Sequence, residues 1–345
     1  MNDMTPSVLP VAATARNPWP RPWLVADIGG TNARFGWLAD GATRVEHVQT
    51  LPTAAHAGPG PAARVYLERL AAQLGNAYQA PRAGAFAVAT AVGGDLISFT
   101  NSGWSFSCQA TRDELALDGL LMLNDFEALA LSLPQLGADQ VRPIGPGAQP
   151  TVAGALAVIG PGTGLGVAGI VPTAHGWVAV PGEGGHASLS AADDFESALL
   201  ASVRREHPHV SAERLLSGIG LPVLHKAVAE VTGRAWGSPL SAEEIVERGL
   251  ARSDAACDRT LDAFWALLGS FAGNVARVCG ARGGVYIGGG IVPRLGERFF
   301  ASDFRRRFEA KGRFNDYLRA IPTVLITDTL AALTGAAVAL EQHGR

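Results

Sequence analysis

The sequence predicts a two-domain α/β protein. Three observations carry that expectation. An apolar run, a Gly/Thr-rich turn and a second apolar run occur twice, as LVADIGGTNARFGWLA over residues 24–39 and as GALAVIGPGTGLGVAGIV over 154–171. Each copy opens a block in which short apolar runs alternate with stretches of helical spacing. The chain has 345 residues, 48% of them hydrophobic, a length that favours two cores over one.

Taken in order, residues 1–22 carry Pro10, Pro18, Pro20 and Pro22 without a helical period, and read as a disordered tail. SVLPVAATA has no basic residue before it and contains a proline, so it does not read as a signal-peptide core. WLVADIG, ARFGWLA and RVEHVQTL are strands separated by turn residues. PAARVYLERLAAQL, residues 61–74, is a helix after a proline start. AGAFAVATAV and DLISFTN are strands, TRDELAL a short helix, and LLMLN (120–124) a buried strand that runs into a helix beginning DFEALALSL.

The second block opens on the 154–171 hairpin. Helices follow at about 192–206, 212–231 and 254–279, then VYIGGGIVP, a helix near 294–309, the strand TVLIT and the final helix TLAALTGAAVALEQ. The Pro/Gly-rich stretch VRPIGPGAQP, residues 141–150, is the expected boundary. With the last helix crossing back, the expected domains are a small one of 23–140 plus about 328–345, and a large one of 141–327.

A net charge of −3 and a pI near 6.2 give no global attraction to nucleic acid or to an anionic membrane. No apolar run is long enough to span a bilayer as a helix. Cys108, Cys257 and Cys279 lie far apart, which argues against a disulfide framework or a zinc cluster and fits thiols in a reducing cytosol. The expected partner is a small molecule, and the expected location is cytoplasmic.

The chemistry concentrates in the glycine-rich stretches. Asp27 lies in an apolar strand, where a carboxylate is costly unless paired, hydrogen-bonded or near a cation. It serves either to bond turn amides or to hold Mg²⁺. Gly29, Gly30 and Thr31, with Asn32 beside them, would turn N–H groups toward phosphate, and Gly162, Thr163 and Gly164 repeat that chemistry. Neither turn has Walker A spacing. Asn124 and Asp125 end a strand and begin a helix, as an N-cap or as a proton acceptor at the ligand end of the sheet. Glu183 and His186 flank two glycines in PGEGGHAS. A zinc pair is weakly supported there. Glycines that bring the backbone of Gly184 and Gly185 close suit a polyhydroxylated ligand better. Gly288, Gly289 and Gly290 follow a strand, where close backbone approach would serve a nucleotide base or ribose.

Together ADIGGTNARFG, LNDFEALA, GPGTGLGVA, PGEGGHAS, SAERLLSG and GGVYIGGGIVPR resemble, in order and spacing, the bacterial ATP-dependent glucokinase family, from about residue 23 to the final helix. The resemblance implies an actin-like, ribonuclease-H-like sugar kinase fold, two α/β domains with a cleft between them. It implies ATP and Mg²⁺, transfer of phosphate to the 6-hydroxyl of D-glucose, and a homodimer. By resemblance Asp125 is the catalytic base and Asn124 its sugar-binding neighbour. Glu183, His186 and Glu213 bond sugar hydroxyls, and Asn101 in TNSGW lines the sugar site. The two Gly/Thr turns hold phosphate, and Gly288–Gly290 lie on the adenosine side. Arg34 suits either an ion pair or a phosphate contact. Rival readings are a kinase of another hexose or N-acetylhexosamine, an actin- or Hsp70-like nucleotide switch, and a glucose-binding regulator without turnover.

Overall fold

The computed structural model describes residues 19–99, 103–146, 149–151, 153–234, 238–292 and 296–343. These residues form two units. One runs to Leu123 and resumes at Ala336; the other spans Asn124–Gly335. The expected disordered tail lies outside the described residues as far as residue 18. Beyond it, Trp19 is held: its ring stacks on His343 with centroids 4.8 Å apart, and its carbonyl accepts the Nε1–H of Trp23 at 3.0 Å.

In chain order the first unit runs β1 (Trp23–Ile28), β2 (Asn32–Leu38), β3 (Glu46–Pro52), α1 (Pro59–Leu74), β4 (Ala83–Val88), β5 (Leu96–Ser98), β6 (Ser105–Ser107), α2 (Cys108–Glu114) and β7 (Gly119–Asn124). Its main sheet has the order β3-β2-β1-β4-β7, and β5 with β6 forms a separate ribbon. β1 pairs antiparallel with β2 and parallel with β4. Strands flanked on both sides and covered on both faces read as continuous apolar runs. β4 is buried throughout, and β1 is buried everywhere except at Asp27.

The second unit continues with α3 (Asp125–Ser132), β8 (Val141–Pro143), β9 (Leu156–Pro161), β10 (Leu165–Thr173), β11 (Gly176–Val180), α4 (Asp194–Arg204), α5 (Gly220–Val231), α6 (Ala242–Leu250) and α7 (Ala255–Val278). β12 (Gly284–Ile287), α8 (Gly296–Phe300), α9 (Phe304–Glu309), α10 (Asn315–Arg319), β13 (Thr323–Ile326) and α11 (Ala331–His343) complete it, the last helix ending in the first unit. The sheet order is β11-β10-β9-β12-β13-β8. Its first five strands repeat the order of the first sheet: an antiparallel meander, with the first meander strand also paired parallel to the next strand in the chain-order series. The two glycine turns are therefore topological equivalents, each joining the first two meander strands.

The change of unit comes at Leu123/Asn124, ahead of the 141–150 stretch. The reason is packing. α3 lies against β9, β10 and β11, and residues 141–143 are the edge strand β8, antiparallel to β13.

Two helices differ from expectation. The 212–231 helix begins at Gly220, because the N–H groups of Gly218 and Ile219 bond the carbonyls of Gly162 and Thr163 (2.8 and 3.4 Å) and not those of a preceding helical turn. The 294–309 helix is split, and its first residues lie outside the described set. Ser302 Oγ donates to Phe299 O at 2.6 Å, ending α8, and accepts from Phe304 N at 3.3 Å, starting α9. That break buries Phe299, Phe304 and Phe308 in one core. α6, α10, β6, β8 and β11 were not expected from the sequence.

Where α11 crosses α3, the Cβ of an alanine at Gly335 would overlap the carbonyl oxygen of Ala128. Overpacking of this kind costs about 1–3 kcal/mol. Gly335→Ala is expected to lower the thermal midpoint by ~2–4 °C per kcal/mol lost in a unit of this size. A midpoint equal to wild type in a calorimetric scan would contradict the close crossing.

Candidate active site

The β1–β2 turn is fastened from behind. Gly29 N–H closes it on Asn32 O at 2.9 Å. The next two carbonyls are both taken by Thr53, a buried residue after β3: Thr53 Oγ1 donates to Gly30 O at 2.8 Å and Thr53 N to Thr31 O at 2.9 Å. With those carbonyls held inward, the N–H groups of Gly30 and Thr31 meet no acceptor among the described residues.

The β9–β10 turn repeats the device with different residues. Gly162 N–H closes on Gly164 O at 2.8 Å, and the carbonyls of Gly162 and Thr163 accept from Gly218 and Ile219. The N–H groups of Thr163 and Gly164 are left without an acceptor among the described residues. Paired, outward N–H groups in a turn form a concavity for an anion. Gly164 is not at positive φ. Its missing side chain makes room for Glu213, whose Oε2 would lie 2.5 Å from an added Cβ.

Asn124 caps α3, with φ −64° and ψ 147°, and its Oδ1 accepts from Phe126 N at 2.9 Å. Asp125 takes the first helical position, half-buried, with Oδ1 3.0 Å from the same N–H. The N–H of Asn124 bonds Glu127, whose carboxyl is pushed up by burial and drawn part of the way back by that bond. Of the alternatives the sequence left, the N-cap is Asn124, and Asp125 follows it at the first helical position. Phe126 fixes the helix start, since its ring fills the space over Gly160 and Gly166 that side chains there would occupy.

The Glu183–His186 loop is laid on the same strand. Glu183 bridges to Val167, Gly184 packs on the Val167 side chain, and a side chain at Gly185 would overlap Leu165 O. Packing on β10 alone is enough to require glycine at Gly185 and to favour it at Gly184. Glu183 and His186 are exposed. Glu213 joins the loop through its own N–H, which donates to Gly185 O at 2.9 Å. Its Oε1 lies 3.8 Å from His186 Nε2, and its Oε2 accepts the N–H of Leu165 at 2.9 Å. Asn124, Asp125, Glu183, His186 and Glu213 all belong to the second unit and are anchored on residues 164–167. Asn101 lies outside the described residues.

A cavity of about 370 Å³ adjoins the second turn. Gly162, Thr163 and Gly218 line it, together with Leu221 and Ile291 and with Ala242, Glu243, Val246 and Glu247 of α6. Of the three glycines after β12, Gly290 lines this space. Gly288 and Gly289 do not. Gly288 N–H bonds Ile159 O at 2.8 Å, and Gly289, at φ +80°, is pressed on Pro161 O where no side chain fits. The α6 wall was missed in the sequence, although Ser241-x-x-Glu244 is a capping box that announces a helix. Thr53 carried no sequence signal.

Asp27 pairs with Arg34 across the β1–β2 ladder, Oδ2 to NH1 at 3.1 Å, so Arg34 makes the ion pair. Burial pushes the Asp27 carboxyl above the usual carboxylate range, and the Arg34 charge and hydrogen bond pull it back only in part. A carboxylate held at that cost, with Oδ1 bonded to no described residue, fits a cation site. Mg²⁺ keeps several waters and commonly uses one or two carboxylates. Among the described residues no group of three or more His, Cys, Asp or Glu converges for a metal.

Comparison with known proteins gives a consistent result. A family model described as Glucokinase matches residues 24–343. The chain is 48% identical over 325 residues to a glucokinase of Chromobacterium violaceum, covering 94% of this chain and 90% of that protein. It is 47% identical over 320 residues to a glucokinase of Aromatoleum aromaticum, covering 93% and 95%. The crystal structure of a glucokinase from an Antarctic psychrotroph superposes with a TM-score of 0.83 at 38% identity, covering 92% of this chain and 98% of that one.

The pH dependence of stability follows from the raised pKa of Asp27. Its folded pKa is raised above the unfolded value, so the stability it contributes is complete at low pH and is lost as pH rises through the folded value. Asp27→Asn keeps the neutral form at every pH. The variant is expected to melt above wild type at pH 7, with the gap closing as pH falls into the acid range, and to lose activity. Melting curves of both proteins from pH 3 to 7 check this; a variant that melts below wild type at pH 7 would contradict it.

Proposed function

We infer the roles of the site residues from one premise: the chain belongs to the glucokinase family and transfers a phosphoryl group from ATP to the 6-hydroxyl of D-glucose, giving glucose 6-phosphate and ADP. The observation that carries the assignment is the paired turn geometry. In each unit two consecutive N–H groups face outward because the carbonyls beside them are held by another segment.

Each turn takes phosphate oxygens. In the first, Gly30 and Thr31 donate, framed by Gly29 and Asn32. In the second, Thr163 and Gly164 donate, with Gly162 at the mouth of the cavity. The adenosine occupies that cavity, its base against the apolar lining of Leu221, Ile291, Ala242 and Val246. Gly290 lies alongside, and Gly288 and Gly289 shape the site through their packing on β9. Asp27 would hold Mg²⁺, which when bound offsets the charge of the phosphates.

Glucose is held by its hydroxyls. The Asn124 carboxamide oxygen accepts the cap bond, and its NH₂ is a donor by its chemistry, the kind of group that bonds a hydroxyl oxygen. Glu183 and Glu213 accept, and His186 does either according to tautomer. Asn101 belongs to the same set. Asp125 accepts the proton of the 6-hydroxyl as that oxygen attacks in line, and positioning with charge stabilisation supplies most of the acceleration. A cytoplasmic homodimer completes the proposal; no described helix is long and apolar enough to cross a membrane.

Two variants test these roles. Asp125→Asn keeps the shape and the helix start but cannot accept a proton. Its kcat should fall about 10²- to 10⁴-fold, with glucose affinity altered far less. A kcat within a few-fold of wild type would remove Asp125 as the base. In the second turn Gly162 is the informative glycine, because its nearest neighbour to an added Cβ is 4.0 Å away. A Cβ at Gly162 therefore meets no close protein atom, and the branched side chain of Gly162→Val is expected to crowd the ligand side of the turn. The KM for ATP should rise at least about tenfold with glucose binding retained, as loss of close phosphate contacts implies. Unchanged ATP kinetics would return the turn to a purely structural role.

A further inference from the structure

Glu213 stands at the join of two sites. Its Oε2 accepts the N–H of Leu165, the residue after the second turn, while Oε1 points toward His186, 3.8 Å from Nε2. The backbone around it is equally committed. Its carbonyl accepts from Ser217 Oγ at 2.7 Å, and Ser217 Oγ in turn accepts from Gly220 N at 3.0 Å. Between those bonds lie Gly218 and Ile219, which hold the carbonyls of Gly162 and Thr163. Residues 213–220 thus form a strap that grips the turn at both ends, with the Glu213 carboxylate at one end and two N–H groups at the other.

We propose that Glu213 is a positioning residue for the phosphates of ATP, in addition to contacting the sugar. This rests on the reading of residues 162–164 as a phosphate turn. A carboxylate accepting a backbone N–H is a charge-assisted bond, and this one is largely shielded, with the side chain 27% exposed. It fixes the peptide plane between Gly164 and Leu165, whose carbonyl accepts from Gly162 N at 2.8 Å and so closes the turn that carries the Thr163 and Gly164 N–H groups. The cost is a negative charge beside the phosphate turn. Glucose hydroxyls donating to Oε1 reduce that repulsion, so sugar and nucleotide favour each other's binding through this one side chain.

The test separates the two roles by measuring nucleotide affinity with no sugar present. A non-hydrolysable ATP analogue with Mg²⁺ is titrated into wild type, Glu213→Ala, Glu213→Asp and Glu213→Gln by calorimetry, and glucose affinity is measured separately. Gln keeps an acceptor oxygen for Leu165 and loses the charge. Asp keeps the charge and falls one methylene short. Glucose affinity should fall in all three. Analogue affinity without glucose should fall about tenfold in Glu213→Ala and Glu213→Asp, the worth of one charge-assisted hydrogen bond, and stay within about threefold of wild type in Glu213→Gln. If Glu213→Ala does not fold, Glu213→Asp decides. Wild-type analogue affinity in the folded Ala or Asp variant would overturn the proposal and leave Glu213 a sugar contact only. Gly162→Val serves as the reference: if it too binds the analogue like wild type, the phosphate-turn reading has failed, and not the role of Glu213 within it.

Discussion

Four consecutive residues, Gly164 to Val167, tie together the second glycine turn, the start of α3, the Glu183 loop and Glu213. Gly164 gives an outward N–H to the turn and space to the Glu213 carboxylate. Leu165 donates to that carboxylate and sets the floor under Gly185. Gly166 receives the Phe126 ring that starts α3, and Val167 bridges to Glu183. Along an extended strand, successive residues face alternate sides and the backbone offers bonds between them. That is how so short a stretch supports a helix start, a loop and a turn at once. A shift of this strand would move Asp125, Glu183, Glu213 and the second glycine turn together, and with them the proposed base, sugar contacts and phosphate contacts.

The repeated sheet order explains why two turns of the same kind exist, and the details show that the repeat is one of physics and not of residues. The first turn is held by a threonine side chain and its own N–H, the second by two backbone N–H groups of a strap. Both solutions bind carbonyls so that N–H groups remain for a ligand. Only the first turn has a carboxylate in its leading strand at the ladder position of Asp27. That carboxylate is kept at a desolvation cost that Arg34 offsets in part. Polar groups held at a cost in a buried strand are where function departs from stability.

Much of this was legible in the sequence. Gly/Thr clusters between apolar runs marked both turns, and a strand ending in Asn-Asp before a helical pattern marked the α3 start. What could not be read were bonds made across long separations. SAERLLSGIG has helical spacing, yet Gly218 and Ile219 spend their N–H groups on a turn more than fifty positions earlier, so α5 starts late. Thr53 looks like any residue after a strand until its two partners are seen. Gly184, Gly185 and Gly289 have atoms of neighbouring strands where a side chain would stand, a packing reason for glycine that the sequence does not separate from a ligand's approach. α6 escaped notice despite its capping box, and with it the wall of the cavity.

The central claim is that backbone N–H groups freed by their own fastening bind phosphate. The most direct measurement is an amide-resolved NMR titration of the protein with Mg²⁺ and a non-hydrolysable ATP analogue. The account predicts that the amide signals of Gly30, Thr31, Thr163 and Gly164 move downfield on saturation, as N–H groups do when they acquire a charged acceptor, while those of Gly29 and Gly162, already bonded within the turns, move far less. Saturation of the nucleotide site with those four signals unmoved would contradict it.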